Sequence, residues 1–178
     1  MVVDRDADPL REDVDLVIRA TRSPPPGLAA RRLGMAKWQL YASPAYLDAH
    51  GAVSEPTDLA RHACLTLGET AGDNRWRFRR GDRTQSLDVR GRYVANDVDA
   101  RLAAALDGWG IASLPEFAAE KALRRGELIR VLADWQCEAG PYMGPIWLLY
   151  PPNRFLPSKV RVLIDYLVGE LHDGAHAP

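Results

Sequence analysis

The sequence predicts an α/β protein whose chain forms two lobes. Short apolar runs rich in β-branched residues alternate with short helical stretches through most of the 178 residues. The chain leaves the first lobe near residue 42 and returns to it near residue 147, and one hairpin interrupts the alternation. This order of strands and helices predicts mainly parallel sheets.

The first third of the chain supplies strands for both lobes. The run VDLVIRA at 14–20 predicts a buried strand, and a short helix is expected at 6–13 before it. Three consecutive prolines predict a loop at 21–27, because proline neither continues a helix nor donates to a sheet. Residues 28–43 predict a pair of strands, and 44–51 a short helix.

The remaining elements follow from caps, alternation and helical spacing. Residues 55–67 predict a one-turn helix capped near Thr57 or Asp58, then a strand. Alternating strands are expected over 74–95, with a turn at 80–82. The later elements are a helix at 97–107, a strand and loop over 110–117, a helix at 118–126, strands at 128–132 and 145–152, and a helix at 157–171 with an apolar stripe on Val160, Leu163, Ile164, Leu167, Val168 and Leu171.

Composition and motifs point away from several function classes. A formal net charge of -1 gives the domain no electrostatic reason to bind nucleic acid, and no apolar run approaches the roughly 20 residues of a membrane helix. Cys64 and Cys137 lie far apart, and His62 near Cys64 lacks a third group to orient it for nucleophilic catalysis. We expect a cytoplasmic protein that is not an enzyme and has no cofactor, metal site or membrane contact.

Four predicted strand ends carry residues suited to binding a small molecule. Thr21, Ser43, Gly68 and the Asn96–Asp97 pair each follow a predicted strand directly. In open α/β sheets, ligands bind beyond the carboxyl ends of strands, where helix N-termini favour anions. A cap or a turn explains each position taken alone. Since the Asp97 carboxylate would repel an anion, Asn96 is expected to contribute more to binding.

The order of several segments resembles a known family. DVDLVIRA, LYASPAYLDAHG, VRGRYVANDVDARLAAALDGWGIASLPEF and IWLLYPPNRFLPSKVRVLIDYLVGEL follow one another over about residues 4–171. They resemble the effector-binding domain of LysR-type transcriptional regulators. The resemblance implies a fold like the type 2 periplasmic binding proteins, with two α/β subdomains joined by two crossing strands. Subdomain I would be 1–41 with 148–178, and subdomain II 42–147.

The same resemblance implies a function. It places a small effector, often a carboxylate, in a cleft between the subdomains, with Thr21, Ser43, Gly68, Asn96, Asp97 and Pro115 as candidate contacts. It implies a homo-oligomer, a dimer or tetramer, that binds DNA only through an N-terminal winged helix-turn-helix absent from these residues. Residues 2–19 would then match the second and third strands of subdomain I, which is expected to be N-terminally truncated. The alternative is a stand-alone solute-binding protein of the same fold.

Overall fold

A computed structural model of the protein describes residues 14–68, 71–138, 143–152 and 157–173. These residues fall into two compact units, one within Met1–Ala36 and Tyr142–Pro178 and the other within Lys37–Pro141. Both units contain strands and at least one helix, which confirms the predicted α/β class. The helix expected at 6–13 lies outside the described residues.

The described elements alternate along the chain. The strands are β1 (Val17–Ala20), β2 (Ala29–Ala36), β3 (Trp38–Ala42), β4 (Cys64–Leu65), β5 (Arg75–Arg80), β6 (Arg83–Asp88), β7 (Ile111–Pro115), β8 (Ile129–Val131), β9 (Gln136–Glu138) and β10 (Gly144–Tyr150). The α-helices are α1 (Pro44–His50), α2 (Val98–Leu106), α3 (Glu116–Arg124) and α4 (Ser158–Asp173), and a 3-10 helix spans Pro56–Arg61.

Most predicted elements are confirmed, and three details are corrected. Glu55, not Thr57 or Asp58, is the N-cap of the 3-10 helix, and its side chain and that of Asp58 form a capping box. The helix α3 starts directly after β7, where a loop was expected. Beyond β6, the expected strand is reduced to one bridge between Val94 and Thr66, because this segment pairs with β4 and not with the hairpin.

The first unit consists of a three-stranded sheet covered by α4. In the order β1-β10-β2, β10 pairs antiparallel with both neighbours. The core joins Leu33 and Leu148 of the sheet to Val160 and Ile164 of α4. The apolar stripe predicted for this helix is therefore only partly correct, because Leu163 and Leu171 remain 44% and 45% exposed.

The prediction of mainly parallel sheets is wrong for the described residues. Parallel pairing occurs there between β4 and β7 and at the Thr66–Val94 bridge, whereas every other described strand pair is antiparallel. The cause is topological. Strands β3 and β10, at which the chain passes between the units, are antiparallel to both of their neighbours. The hairpin adds a third sheet in which both strand pairs are antiparallel.

The second unit is built around a four-stranded sheet in the order β4-β7-β3-β8. Its two faces bury different cores, as expected for strands whose successive side chains point to opposite sides. One face packs with the sheet β6-β5-β9 through a cluster that includes Leu40, Ile111, Trp76 and Phe78. The other face packs under α2 and α3 through Tyr41, Leu65, Ala112, Leu114, Ala104, Ala105, Ala119 and Ala122.

Two glycines permit a close backbone approach beside β4. A Cβ atom on Gly91 would lie 1.8 Å from the carbonyl oxygen of Cys64, and one on Gly110 would lie 2.3 Å from that of Ala63. Neither carbonyl belongs to a flexible side chain, so any larger residue must displace backbone. The same approach lets the Cys64 amide donate to the Arg90 carbonyl at 2.8 Å.

We expect Gly91→Ala to destabilise the protein by roughly 2 kcal/mol, because the added methyl group overpacks a rigid backbone contact. Gly34→Ala is the matched control, since a Cβ atom there meets nothing within 4 Å. Urea unfolding followed by circular dichroism measures both. Equal midpoints for the two variants would contradict the close approach.

The helix α2 begins at a side-chain N-cap, Asp97. Asp97 Oδ1 accepts a hydrogen bond of 2.7 Å from the backbone amide of Ala100. We expect Asp97→Ala to lower the free energy of unfolding by about 1 kcal/mol, whereas Asp97→Asn retains a good cap and nearly all of the stability. Asn96→Ala is expected to be close to neutral in the same urea titration. A loss as large at Asn96 as at Asp97 would show that the cap is assigned to the wrong residue.

Candidate functional site

Four of the predicted positions lie at one edge of the four-stranded sheet in the second unit. We call this the carboxyl edge; it comprises Thr66–Gly68, Asn96–Asp97 and Ser113–Pro115. The strands β4 and β7 are parallel, and Thr66 bridges Val94 in the same sense, so all three segments end together. Gly68 touches the neighbouring segment closely, since a Cβ atom on it would lie 1.9 Å from Val94 Cγ1.

Ser43 lies at the opposite edge of the sheet, apart from the other predicted positions of the second unit. Because β3 runs antiparallel to β7, with Tyr41 opposite Ala112, the end of β3 adjoins the start of β7. Ser43 is buried and its Oγ accepts from the Tyr46 amide at 3.3 Å, which caps α1. It lines a separate cavity of about 530 Å³ with Leu106.

Thr21 belongs to the first unit, where local hydrogen bonds account for it. Its amide donates to the Pro145 carbonyl at 3.0 Å, and its hydroxyl donates to the Ser23 carbonyl at 3.1 Å. The Trp147 indole N–H donates to the Thr21 carbonyl at 3.0 Å. Thr21 is therefore held in a turn at the end of β1.

The two polar residues before α2 differ in their hydrogen bonding. Asp97 is exposed and its carboxylate is engaged in the cap with Ala100. Asn96 is also exposed, and its side-chain amide makes no hydrogen bond with another described residue. At the end of β7, buried Pro115 is the N-cap of α3, and the first helical amide, that of Glu116, donates to the Lys37 carbonyl at 2.9 Å. The side-chain amide of Asn96 is thus available to a bound molecule, whereas the Asp97 carboxylate caps α2.

Sequence reasoning missed Arg101, the buried cation beneath this edge. Only 1% of its surface is exposed, and its Nη1 donates to the Ser113 carbonyl at 3.1 Å. Its guanidinium also lies 5.5 Å from the centre of the Trp38 ring. Its position could have been found from spacing, because Arg101 shares one helical face with the buried Ala104 and Ala105.

Two buried polar atoms near Arg101 make no hydrogen bond within the described residues. They are Trp38 Nε1 and Ser113 Oγ. Trp38 opposes Pro115 and Leu40 opposes Ser113, so both side chains lie on the same face of adjacent strands. A buried donor without a partner costs about 1–3 kcal/mol, so a polar molecule bound here would be stabilised by supplying acceptors.

The charges at the carboxyl edge are mixed, because the cation Arg101 is buried while Asp97 and Asp99 are exposed. The N-termini of α2 and α3 add partial positive charge. Against them stand Asp97 and Asp99 in the first turn of α2 and Glu116 in that of α3. Glu116 is offset by Arg130, 3.5 Å away, which leaves Asp97 and Asp99 as the carboxylates that oppose the charge of Arg101 at this edge.

The His62–Cys64 pair lacks the geometry of a nucleophile and its base. Burial raises the pKa of the Cys64 thiol to about 12 and lowers the pKa of His62. The thiol points at the His62 carbonyl, 3.9 Å away, and not at the ring. The His62 ring instead contacts the Tyr46 hydroxyl at 3.3 Å. These contacts serve packing, and they do not activate the thiol.

The described ranges contain neither a set of metal ligands nor a membrane-spanning helix. There, no three His, Cys, Asp or Glu side chains come together as a set of metal ligands. None of the described helices has the length and apolar character needed to cross a bilayer.

Known proteins are similar to this chain in sequence and in fold. The family model of the LysR substrate binding domain matches residues 2–172. A probable HTH-type transcriptional regulator, LtrA of Klebsiella pneumoniae, is 39% identical over 98% of this chain and 57% of its own length. The full-length Vibrio cholerae virulence activator AphB has a TM-score of 0.79 at 30% identity, covering 93% of this chain and 54% of its own.

A further solved structure is the regulatory domain of AphB from Vibrio vulnificus treated with cumene hydroperoxide. It has a TM-score of 0.75 at 31% identity and covers 92% of this chain and 78% of its own. The chain spans about half the length of the curated relatives it matches. The expected fold, like that of the type 2 periplasmic binding proteins, is confirmed. With a family model covering nearly all of its residues, the chain belongs to the LysR substrate-binding domain family.

Proposed function

We propose that the chain senses a small carboxylate metabolite that binds at the carboxyl edge of the second unit. The observation that carries the proposal is the buried cluster of Arg101, Trp38 and Ser113. It combines a cation that is 1% exposed with two buried polar atoms that no described residue satisfies. A carboxylate offers several acceptor lone pairs and one negative charge, which complement this cluster.

The burial of Arg101 favours an anion above it. A charge acts more strongly through a low-dielectric interior than through water, so Arg101 stabilises an anion even without touching it. Asn96 then provides an exposed amide at the rim, and the N-terminus of α3 adds its partial positive charge. Asp97 opposes the anion, but its carboxylate is turned into its own helix cap.

The regulatory part of the proposal rests on the relatives. Because they are named HTH-type transcriptional regulators, we propose that the whole protein is cytoplasmic and binds DNA through a helix-turn-helix outside these residues. The effector would shift the population of two arrangements of a homo-oligomer, a dimer or tetramer, by binding one of them more tightly. Val162 and Tyr166 on α4, 67% and 61% exposed, offer apolar surface for such self-association.

The alternative is a stand-alone solute-binding protein of the same fold. Its ligand site would be the same. The two functions differ in whether the bound state is passed on to a DNA-binding domain or to another protein. The names of the relatives favour the regulator.

The test for the ligand is a thermal-shift screen of the 178-residue chain against small mono- and dicarboxylates. Each acid is paired with its primary amide, which has the same shape without the charge. We expect at least one acid to raise the melting temperature in a concentration-dependent way while its amide does not. A library without any such pair would overturn the carboxylate proposal.

Single-residue variants test whether the acid binds at the carboxyl edge. We expect Asn96→Ala to weaken the best acid by roughly tenfold in calorimetry, because a hydrogen bond to a charged group is lost. Asp97→Asn keeps the cap and removes a negative charge, so its affinity should stay equal or rise. Ser43→Ala, at the opposite edge, is the control and should bind as the unsubstituted protein does. If Ser43→Ala alone lost binding, the acid would bind at the opposite edge and the proposed location would be wrong.

The thiols of this chain are poorly suited to sensing a peroxide. Cys64 and Cys137 are 0% and 2% exposed. Burial raises the pKa of the Cys64 thiol to about 12, and it also raises the pKa of the Cys137 thiol. Since the thiolate is the reactive form, both thiols are inert near neutral pH. This supports a bound metabolite over peroxide as the signal.

We therefore expect cumene hydroperoxide at pH 7.5 to leave both thiols unmodified in the folded protein, as measured by intact mass. The urea-unfolded protein is the control and should oxidise. If the folded protein oxidised as quickly, the argument from burial would be contradicted.

The raised pKa values of the two thiols also predict that stability depends on pH. The folded state holds these protons more tightly, so stability is full below the ordinary thiol pKa of 9.0 and falls as pH rises towards about 12.

A further inference from the structure

A second cavity lies at the opposite edge of the same sheet, where β4 and β7 begin. We call it the amino-edge pocket; it has a volume of about 670 Å³ and is lined by His50, Arg90, Gly91, Arg92, Tyr93 and Trp109. We propose that the amino-edge pocket binds a planar organic anion, an aromatic carboxylate, independently of the carboxyl edge. The volume falls within the range of small-molecule clefts.

The floor of the pocket is backbone. Gly91 approaches the Cys64 carbonyl so closely that a Cβ atom would lie 1.8 Å from it, and Ala63 also lines the pocket. The Ala63 amide donates to the Tyr46 hydroxyl at 2.9 Å, and its carbonyl accepts from the Ile111 amide at 2.8 Å. The floor is therefore rigid and carries no bulky side chain, which leaves room for a flat molecule.

One wall is aromatic. Tyr93 and Trp109 meet edge to face, with ring centres 5.5 Å apart and planes at 89°. Trp109 is 57% exposed, which is unusual for the largest apolar side chain, and its amide is held by the Ala104 carbonyl at 3.0 Å. A planar ring stacked on the indole would cover this surface and gain contact energy beyond its buried area.

The polar groups of the pocket are basic. Of its described lining residues, Arg90, Arg92 and His50 carry basic groups and none is acidic. Neither arginine lies within ion-pair distance of a described carboxylate, so both guanidinium groups have donors for an anion. His50 is fixed, because its ring stacks on Tyr46 at 4.3 Å and its Nδ1 donates to the Tyr46 carbonyl at 2.9 Å. Its Nε2 remains the polar atom available to a ligand.

Together these features specify the ligand by chemistry. The rigid floor and the indole select a flat apolar body, while Arg90 and Arg92 select a negative charge at its rim. The pocket differs from the carboxyl edge in place and in lining, since the two share no residue. Its occupant can therefore be tested without reference to the proposed sensing site.

The experiment uses ¹⁹F NMR of the 178-residue chain labelled with 5-fluorotryptophan, and 2-naphthoate as the probe. The chain has five tryptophans, and the resonance missing from Trp109→Phe identifies Trp109. We expect 2-naphthoate to shift the Trp109 resonance in a saturable manner, and 2-naphthylmethanol, which is uncharged, to bind roughly tenfold more weakly.

Matched variants separate charge from general attraction. Arg90→Gln with Arg92→Gln is expected to weaken the binding of 2-naphthoate roughly tenfold, since both exposed guanidinium charges are removed. Arg31→Gln with Arg32→Gln removes the same charge from exposed positions on β2 and should leave the affinity unchanged. Asn96→Ala at the carboxyl edge should also leave it unchanged, so the two proposals can fail separately.

Four results would overturn the proposal. They are no shift of Trp109 at millimolar 2-naphthoate, equal binding of the neutral alcohol, equal binding by the Arg90 and Arg92 double variant, and a Trp109 shift that depends on protein concentration alone. The last result would mean that a second copy of the chain covers the pocket.

Discussion

The second unit depends on β7, a strand that is buried along its whole length between β4 and β3. Its pairing is parallel on one side and antiparallel on the other. That asymmetry decides which strand ends share an edge of the sheet, because only parallel neighbours end together. Gly68, the segment before α2 and Pro115 are gathered at one edge for this reason. Ser43 lies at the other edge, although it also follows a strand, because β3 is antiparallel to β7.

The same strand explains why the two edges have different chemistry. At its carboxyl end, the helices α2 and α3 present their N-termini, and Arg101 reaches the Ser113 carbonyl from below. At its amino end, Gly110 lies against the Ala63 carbonyl, and the chain beside β4 brings arginines and aromatic rings together. One edge is a buried polar cluster with helix dipoles, whereas the other is a glycine-floored pocket with exposed guanidinium groups.

Local signals predicted much of the secondary structure correctly. The hairpin β5–β6 alternates apolar and polar residues, and α2 has an acidic cap and a small apolar face. Both properties act within a few residues, so sequence alone reveals them. The predicted α4 stripe is too wide, because Val160 and Ile164 are buried and Leu167 and Val168 pack against them, whereas Leu163 and Leu171 remain exposed. A helical pattern shows which face is apolar but not how much of it is covered.

The sequence by itself determined the α/β class, the order of elements and, through the order of its segments, the family. These depend on short-range patterns and on the succession of motifs. Only the tertiary structure decided strand direction, and with it the edge to which each candidate belongs. It also decided the burial of Arg101, the close approach at Gly91 and the exposure of Trp109. Each of these features depends on which segments, distant in sequence, pack against one another. No local sequence pattern encodes that pairing.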